Sequence, residues 1–174
     1  MDPKRLKQEF AKAYDDFADA IFRHCYFRLS NRERAKELMQ ETFMRTWGYI
    51  QKGNTIELSK IKPFLYKTAS NLIIDEYRRN KNELSLDNLK EDGFEIAEEA
   101  EIERGVDMRI ELEKMKKVLD HLDDKHREVI VMRYIDNLEP KEIAEVLNDT
   151  PNNVSVKINR GIKQIRKYIE DERD

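Results

Sequence analysis

The sequence predicts an all-α chain of two small helical domains joined by a flexible acidic linker. Three observations lead there. Glycine (5) and proline (4) are scarce among 174 residues, so the chain lacks the tight turns that a sandwich or barrel needs. Apolar residues recur every three or four positions over most of the length, the rhythm of helices with one buried stripe. The acids are also segregated. Residues 83–103 hold nine of them against Lys90 alone, a net of −8, which leaves +5 on the rest of a chain whose total is −3. With 40% charged and 39% hydrophobic residues, small cores with large wetted faces are expected.

The elements follow in order. Asp2 and Pro3 mark a helix start, and Leu6, Phe10, Ala13, Phe17, Ile21 and Cys25 draw its apolar stripe. Ser30 and Glu33 have capping-box spacing and open a second helix. Its stripe is Ala35, Leu38, Met39, Thr42, Phe43, Thr46 and Ile50, and Gly53 ends it. After a polar loop, a third helix carries Ile61, Leu65, Thr68, Ala69, Leu72 and Ile73 and runs out near Arg79 and Asn80. These three can bury their stripes against one another, which defines a helical bundle over residues 1–82. The acidic stretch, residues 83–106, has sparse and irregular apolar residues and reads as a flexible linker. Residues 107–174 form a second domain of four helices. The first has the stripe Met108, Leu112, Met115, Leu119 and Leu122. The second is "DDKHREVIVMRYIDNL", closed by Asn137 in a left-handed cap. The third starts at Pro140 and has Ile143, Ala144 and Leu147 on its apolar face. The last has the stripe Val154, Ile158, Ile162, Ile165 and Ile169.

The end of that domain carries the strongest functional signal. A short helix, the turn "NDTP" and a basic helix have helix-turn-helix geometry. Thr150 is a suitable N-cap and Pro151 takes the first helical position. Asn152, Asn153, Ser155, Val156 and Lys157 lie where a recognition helix reaches base edges, with Asn159 and Arg160 a turn later. Asparagine can read adenine, and a small apolar group can touch a thymine methyl. Lys157, Arg160, Lys163, Arg166 and Lys167 are uninterrupted by any acid up to Tyr168. A merely solvated helix face mixes signs to gain i,i+4 pairs; this one suits backbone phosphates. A second basic zone, residues 60–81, has a net charge of +4. Phe64, Tyr66 and Tyr77 are interleaved in it, a combination that suits single-stranded DNA. Phe64 could equally be core.

Three stretches in this order resemble the extracytoplasmic-function (ECF) sigma factors of bacterial RNA polymerase: "RERAKELMQETFMRTW", "IKPFLYKTASNLIIDEYRRNK" and "LDDKHREVIVMRYIDNLEPKEIAEVLNDTPNNVSVKINRGIKQIRKYI". The resemblance spans nearly the whole chain. It implies that the second helix docks on the clamp helices of the polymerase β′ subunit through Glu37, Gln40, Glu41 and Met44, with Arg45 nearby. It also implies that the third helix reads and opens the −10 element through Lys67, Asn71, Asp75, Arg78 and Arg79, while the loop from Gly53 to Ser59 captures a flipped base. Asn152, Asn153, Ser155, Val156, Lys157, Asn159, Arg160 and Lys163 would read the −35 element. The implied partners are core RNA polymerase, promoter DNA and an anti-sigma factor. Some positions depart from the family pattern. Asn148 and Asp149 replace a glycine and an apolar residue before the Thr-Pro turn, Glu139 replaces a capping serine, and Ser155 a basic residue. Gly161 replaces an alanine and should weaken its helix by up to about 1 kcal/mol.

Catalytic and metal-binding patterns are not expected. His24 and Cys25 are neighbours and point about 100° apart on a helix. His121 and His126 are five apart, not the i,i+4 spacing of a zinc-binding helix. No phosphate-cradling glycine loop occurs, and no cofactor is expected. A single cysteine allows no internal disulfide, and no stretch approaches a membrane span. A reduced, cytoplasmic protein without membrane contact of its own is the expectation. Two other classes compete: a stand-alone helix-turn-helix regulator, and a helical adaptor that binds only protein. The second basic zone argues against the first, and salt-dependent promoter binding would eliminate the second.

Overall fold

A computed structural model of the chain describes residues 3–84 and 105–173; the greater part of the expected linker lies outside them. Seven α-helices form among the described residues: α1 (Pro3–Leu29), α2 (Arg32–Gln51), α3 (Ile61–Leu84), α4 (Gly105–Asp120), α5 (Asp124–Ile130), α6 (Pro140–Leu147) and α7 (Pro151–Asp171). A single 3-10 turn (Leu58–Lys60) precedes α3, and a π turn (Val131–Ile135) extends α5.

Helices α1, α2 and α3 pack into a bundle. Ile21, Cys25, Ala35, Leu38, Leu65, Ala69 and Ile73 are essentially inaccessible at its centre. Trp47 packs on Phe10, with ring centroids 5.0 Å apart. The cap of α2 differs from the expected one. Asn31, not Ser30, is the N-cap, its side chain accepting from the Arg34 N–H at 2.9 Å. Ser30 instead adopts a left-handed φ of 56° and donates its N–H to the Tyr26 carbonyl, which terminates α1. With only two residues between the helices, one must close α1 and the other open α2. Gly53 ends α2 with φ 88°. Helix α3 continues a turn beyond Asn80, to Leu84.

The second group packs around Leu122, Val129, Val131, Met132, Leu138, Ile143 and Val154. Asn137 and Asn148 take the left-handed conformation with φ of 55° and 52°. Asn148 thereby does the work of a C-cap glycine. Thr150 caps α7 by accepting the Asn153 N–H at 3.2 Å, and Pro151 occupies its first turn. Glu142 reaches back to the Glu139 N–H at 2.8 Å. Of the stripe expected for α4, the Met108 side chain lies outside the described residues, and the other four divide. Leu119 and Leu122 enter the core, whereas Leu112 (38% exposed) and Met115 (43%) do not. Gly161 has a packing reason that propensity could not reveal. A Cβ there would lie 2.8 Å from Ile130 Cγ1 and 3.1 Å from Ile130 Cδ1. The glycine therefore lets α7 approach α5 closely.

The two groups share one continuous cluster of buried residues. A polar seam runs along their junction. His24 Nδ1 donates to Asp136 Oδ2 at 2.7 Å, both side chains being fully buried. Arg28, 2% exposed, pairs with Glu128 at 3.0 Å. Arg127 donates through Nε to the Phe27 carbonyl at 2.8 Å and through Nη2 to Ser30 Oγ at 2.9 Å. A guanidinium at the C-terminus of α1 satisfies orphan carbonyls and meets the negative end of the helix dipole. At the far end of the seam, Lys62 meets Glu142 at 3.2 Å and Lys60 meets Glu145 at 2.7 Å.

Candidate nucleic-acid and polymerase interfaces

Three helices present exposed polar faces, and each has a buried side that sets its direction. On α2, burial of Ala35, Leu38, Met39, Thr42, Phe43 and Thr46 turns Glu37, Gln40, Glu41 and Met44 to the other side. Met44 is 73% exposed. Glu37 pairs with Arg34, and Glu41 accepts from Arg45 Nη2 at 2.6 Å.

On α3, Leu65, Ala69, Leu72 and Ile73 face the bundle. Lys67, Asn71, Asp75 and Arg78 follow at steps of four, four and three, which lines them up on one exposed face. Arg79 is also exposed and donates to Glu76 Oε2 at 2.8 Å. The aromatic rings of this zone behave otherwise than expected. Tyr66 is 1% exposed and belongs to the core. The Tyr77 hydroxyl donates to the Arg28 carbonyl, which turns that ring inward. Phe64 remains half buried against Tyr49 at a centroid distance of 5.0 Å. Tyr66 thus offers no surface for base stacking.

The residue that fixes α2 relative to α3 had no sequence signal. Arg34 donates to Glu76 twice, through Nε at 2.8 Å and Nη2 at 2.7 Å. This bidentate pair bridges positions 42 apart and is the strong, oriented form of an ion pair. The Arg34 guanidinium holds the Glu76 carboxyl below its ordinary range. Arg34 also touches Glu37, so one side chain links the face on α2 to the helix that carries the face on α3.

On α7, Val154, Ile158 and Gly161 are buried. Asn152, Asn153, Val156, Asn159, Arg160 and Lys163 are exposed; Ser155 and Lys157 are half exposed. The predicted readers thus fall on one outward face. Two of them are already engaged. Asp149 accepts from Asn153 Nδ2 at 2.9 Å and from Lys157 Nζ at 2.7 Å, and the Lys157 ammonium holds its carboxyl down to about 2. The histidines and cysteine lie apart from these faces. Burial pushes the Cys25 thiol up to about 12, so it stays protonated and unreactive. His121 stacks on Tyr168 with centroids 3.7 Å apart, and His126 meets Asp123.

A helical bundle with two outward polar faces is thus followed by a helix-turn-helix whose second helix is basic. Residues 13–83 match the family model of Sigma-70 region 2, and residues 112–165 that of Sigma-70, region 4. The chain is 33% identical to the ECF RNA polymerase sigma factor SigW of Bacillus subtilis (strain 168), over 97% of this chain and 96% of that one. It is 28% identical to the ECF RNA polymerase sigma factor SigM of the same organism, over 78% and 79%. It belongs to the ECF RNA polymerase sigma factors, which act with core RNA polymerase on promoter DNA in transcription initiation. Solved structures share the fold. The sigma factor RpoE, in complex with the anti-sigma factor NepR from Bartonella quintana, superposes with a TM-score of 0.73 at 16% identity, covering 94% of this chain and 98% of that one. CnrH, in complex with the cytosolic domain of CnrY, gives 0.69 at 18% identity, covering 93% and 88%. No helix among the described residues is long and apolar enough to cross a membrane.

Proposed function

We propose that the three exposed faces divide the work of a sigma factor. Glu37, Gln40, Glu41 and Met44 on α2 engage the β′ clamp helices of core polymerase. Lys67, Asn71, Asp75, Arg78 and Arg79 on α3 meet the −10 element. Asn152, Asn153, Ser155, Val156, Lys157, Asn159, Arg160 and Lys163 read the −35 element. The observation that carries this reading is that the assigned residues lie on the outward sides of α2, α3 and α7, inside the stretches that match Sigma-70 region 2 and Sigma-70, region 4. An anti-sigma factor is the remaining partner of the reading, in keeping with the complexes in which the structural relatives RpoE and CnrH were solved.

The packed arrangement belongs to the free protein in this reading. Elements about 25 base pairs apart lie about 85 Å apart along B-form DNA. A compact chain of this size has a radius of gyration of about 16 Å, so it cannot touch both elements at once. Residues 85–104, fully extended, span about 70 Å, enough to let the halves part. Opening the seam exposes the buried His24–Asp136 pair, an expense that the polymerase and DNA contacts must offset.

Gel filtration of the full chain with core RNA polymerase tests the assignment. Co-elution is expected for the wild type and its loss for Gln40→Ala combined with Glu41→Ala. Promoter opening should fall in Arg78→Ala with Arg79→Ala while co-elution persists. A homodimer that binds duplex DNA without polymerase would overturn the reading.

A further inference from the structure

The turn between α6 and α7 places a carboxylate among groups that would read DNA. Asp149 is 18% exposed at its side chain, and all the polar contacts it makes there are to the start of α7. Its Oδ1 accepts from the Thr150 N–H at 2.8 Å and from Asn153 Nδ2 at 2.9 Å; its Oδ2 accepts from Lys157 Nζ at 2.7 Å. Its own N–H donates to the Ala144 carbonyl at 2.9 Å, which ties the residue to the end of α6. The residue is therefore tied to α6 through its backbone and to α7 through its carboxylate, which cannot swing away without giving up several hydrogen bonds.

Two consequences follow from the chemistry. The first concerns charge. Lys157, facing Asp149 at contact distance, is neutralised in place. Of the five bases between Lys157 and Lys167 it is the one nearest the start of the helix, where base edges are reached. A free ammonium there would attach to any phosphate, on any sequence. The second concerns orientation. An asparagine amide can be turned either way and can present a donor or an acceptor to a base. With one Asn153 N–H committed to Asp149, its Oδ1 stays free as an acceptor, beside a single remaining N–H. That face matches bases with an exocyclic amine in the major groove, adenine first, which offers a donor and an acceptor side by side.

We propose that Asp149 is a specificity-determining positioning residue of the recognition helix. It withholds Lys157 from indiscriminate phosphate contact and locks the Asn153 amide in the orientation that reads an amine-bearing base. This rests on the assignment of α7 to the −35 element. It also gives a physical reason for an acid at a position where the family pattern has an apolar residue.

The experiment uses the holoenzyme reconstituted from core polymerase and the full-length chain. Promoter fragments with a randomised −35 region are selected by wild type, Asp149→Asn, Asn153→Ala, Lys157→Gln and the Asp149→Asn/Lys157→Gln pair. Binding to a fixed duplex of unrelated sequence is measured against salt. Asp149→Asn is expected to flatten the base preference at the position that Asn153→Ala also flattens, by about tenfold. It should also steepen the logarithmic salt dependence on unrelated duplex by about 0.9, the value of one extra phosphate contact. The pair should return that slope to the Lys157→Gln value. A merely structural role for Asp149 would weaken every sequence alike and leave the slope unchanged. If Asn153→Ala alters the preference while Asp149→Asn alters neither preference nor slope, the positioning role is wrong and the assignment of α7 stands. If wild type selects no sequence at the −35 region, or no α7 variant matters, the assignment itself fails and takes the inference with it. Thermal unfolding of each variant confirms that the helix is present.

Discussion

The seam between α1 and α5 and the turn between α6 and α7 use the same chemistry in opposite surroundings. In the seam, His24, Arg28 and Arg127 meet Asp136, Glu128 and Asp120 with side chains that are mostly buried. In the turn, Asp149 meets Lys157 and Asn153 within reach of water. A polar group in the seam that loses its partner has no water to turn to, and the penalty is large. A group in the turn that loses its partner is hydrated, and little stability is lost. Loss of a partner therefore weighs far more in the seam than in the turn, where the bonds fix orientation more than they add stability. Among the described residues, Asp136 Oδ1 and Arg28 Nε are buried without a hydrogen-bond partner, which works against the stability of the seam.

That contrast can be tested from the largest effect downward. His24→Ala leaves Asp136 buried and unpaired and should weaken the closed arrangement by about 3–5 kcal/mol. Small-angle scattering should then report an expanded molecule; an unchanged radius would mean the pair does not hold the halves together. Gly161→Ala should destabilise the α5–α7 contact by about 1–3 kcal/mol through overpacking against Ile130, although helix propensity alone would favour alanine. Urea unfolding decides the sign. Thr150→Ala removes the cap of α7 and should cost about 1 kcal/mol in the same assay. Lys62→Met, at the wet end of the seam, should cost less than about 1 kcal/mol and lose even that at high salt; a loss as large as that of His24→Ala would erase the distinction between the two ends.

The last test concerns pH. The Asp149 carboxyl is held down to about 2, so the stability it contributes is fully present above the ordinary aspartate range. It is lost as pH falls from that range toward 2. Glu76, lowered chiefly by Arg34, behaves with the same sign. In Lys157→Gln, the Asp149 titration followed by carboxyl NMR should move up toward the ordinary range. A midpoint left near 2 would show that Asn153 and the Thr150 N–H suffice without the ammonium.

Much of the architecture was legible in the amino-acid order because its causes are local. The stripes of α1, α2, α3 and, as far as Ile165, α7 depend on residues within a turn or two of each other, as do the left-handed Asn137, the Thr150 cap and Pro151, and the helices follow; Ile169, expected in the stripe of α7, is 38% exposed. The exposed faces of α2, α3 and α7 follow from the same stripes, since a side opposite a buried row faces water. The fold departs from the local signals where two of them compete or where a neighbour intervenes. Ser30 and Asn31 are both capping residues, and the two-residue connection decided which of them closes α1. Tyr66 carries a polar tip but is drawn into the core by its place in the stripe. Leu112 and Met115 keep helical spacing, yet little lies against them.

What the sequence by itself determined is therefore the set of helices, their outward faces and the family they declare. The tertiary structure alone decided the pairings between distant positions: Arg34 with Glu76, His24 with Asp136, Arg127 with the end of α1, and the clearance that makes Gly161 necessary. Spacing along a helix records only which side a residue takes. Which charge waits across the gap depends on how the helices are brought together, and in a buried gap that choice carries the larger free energy.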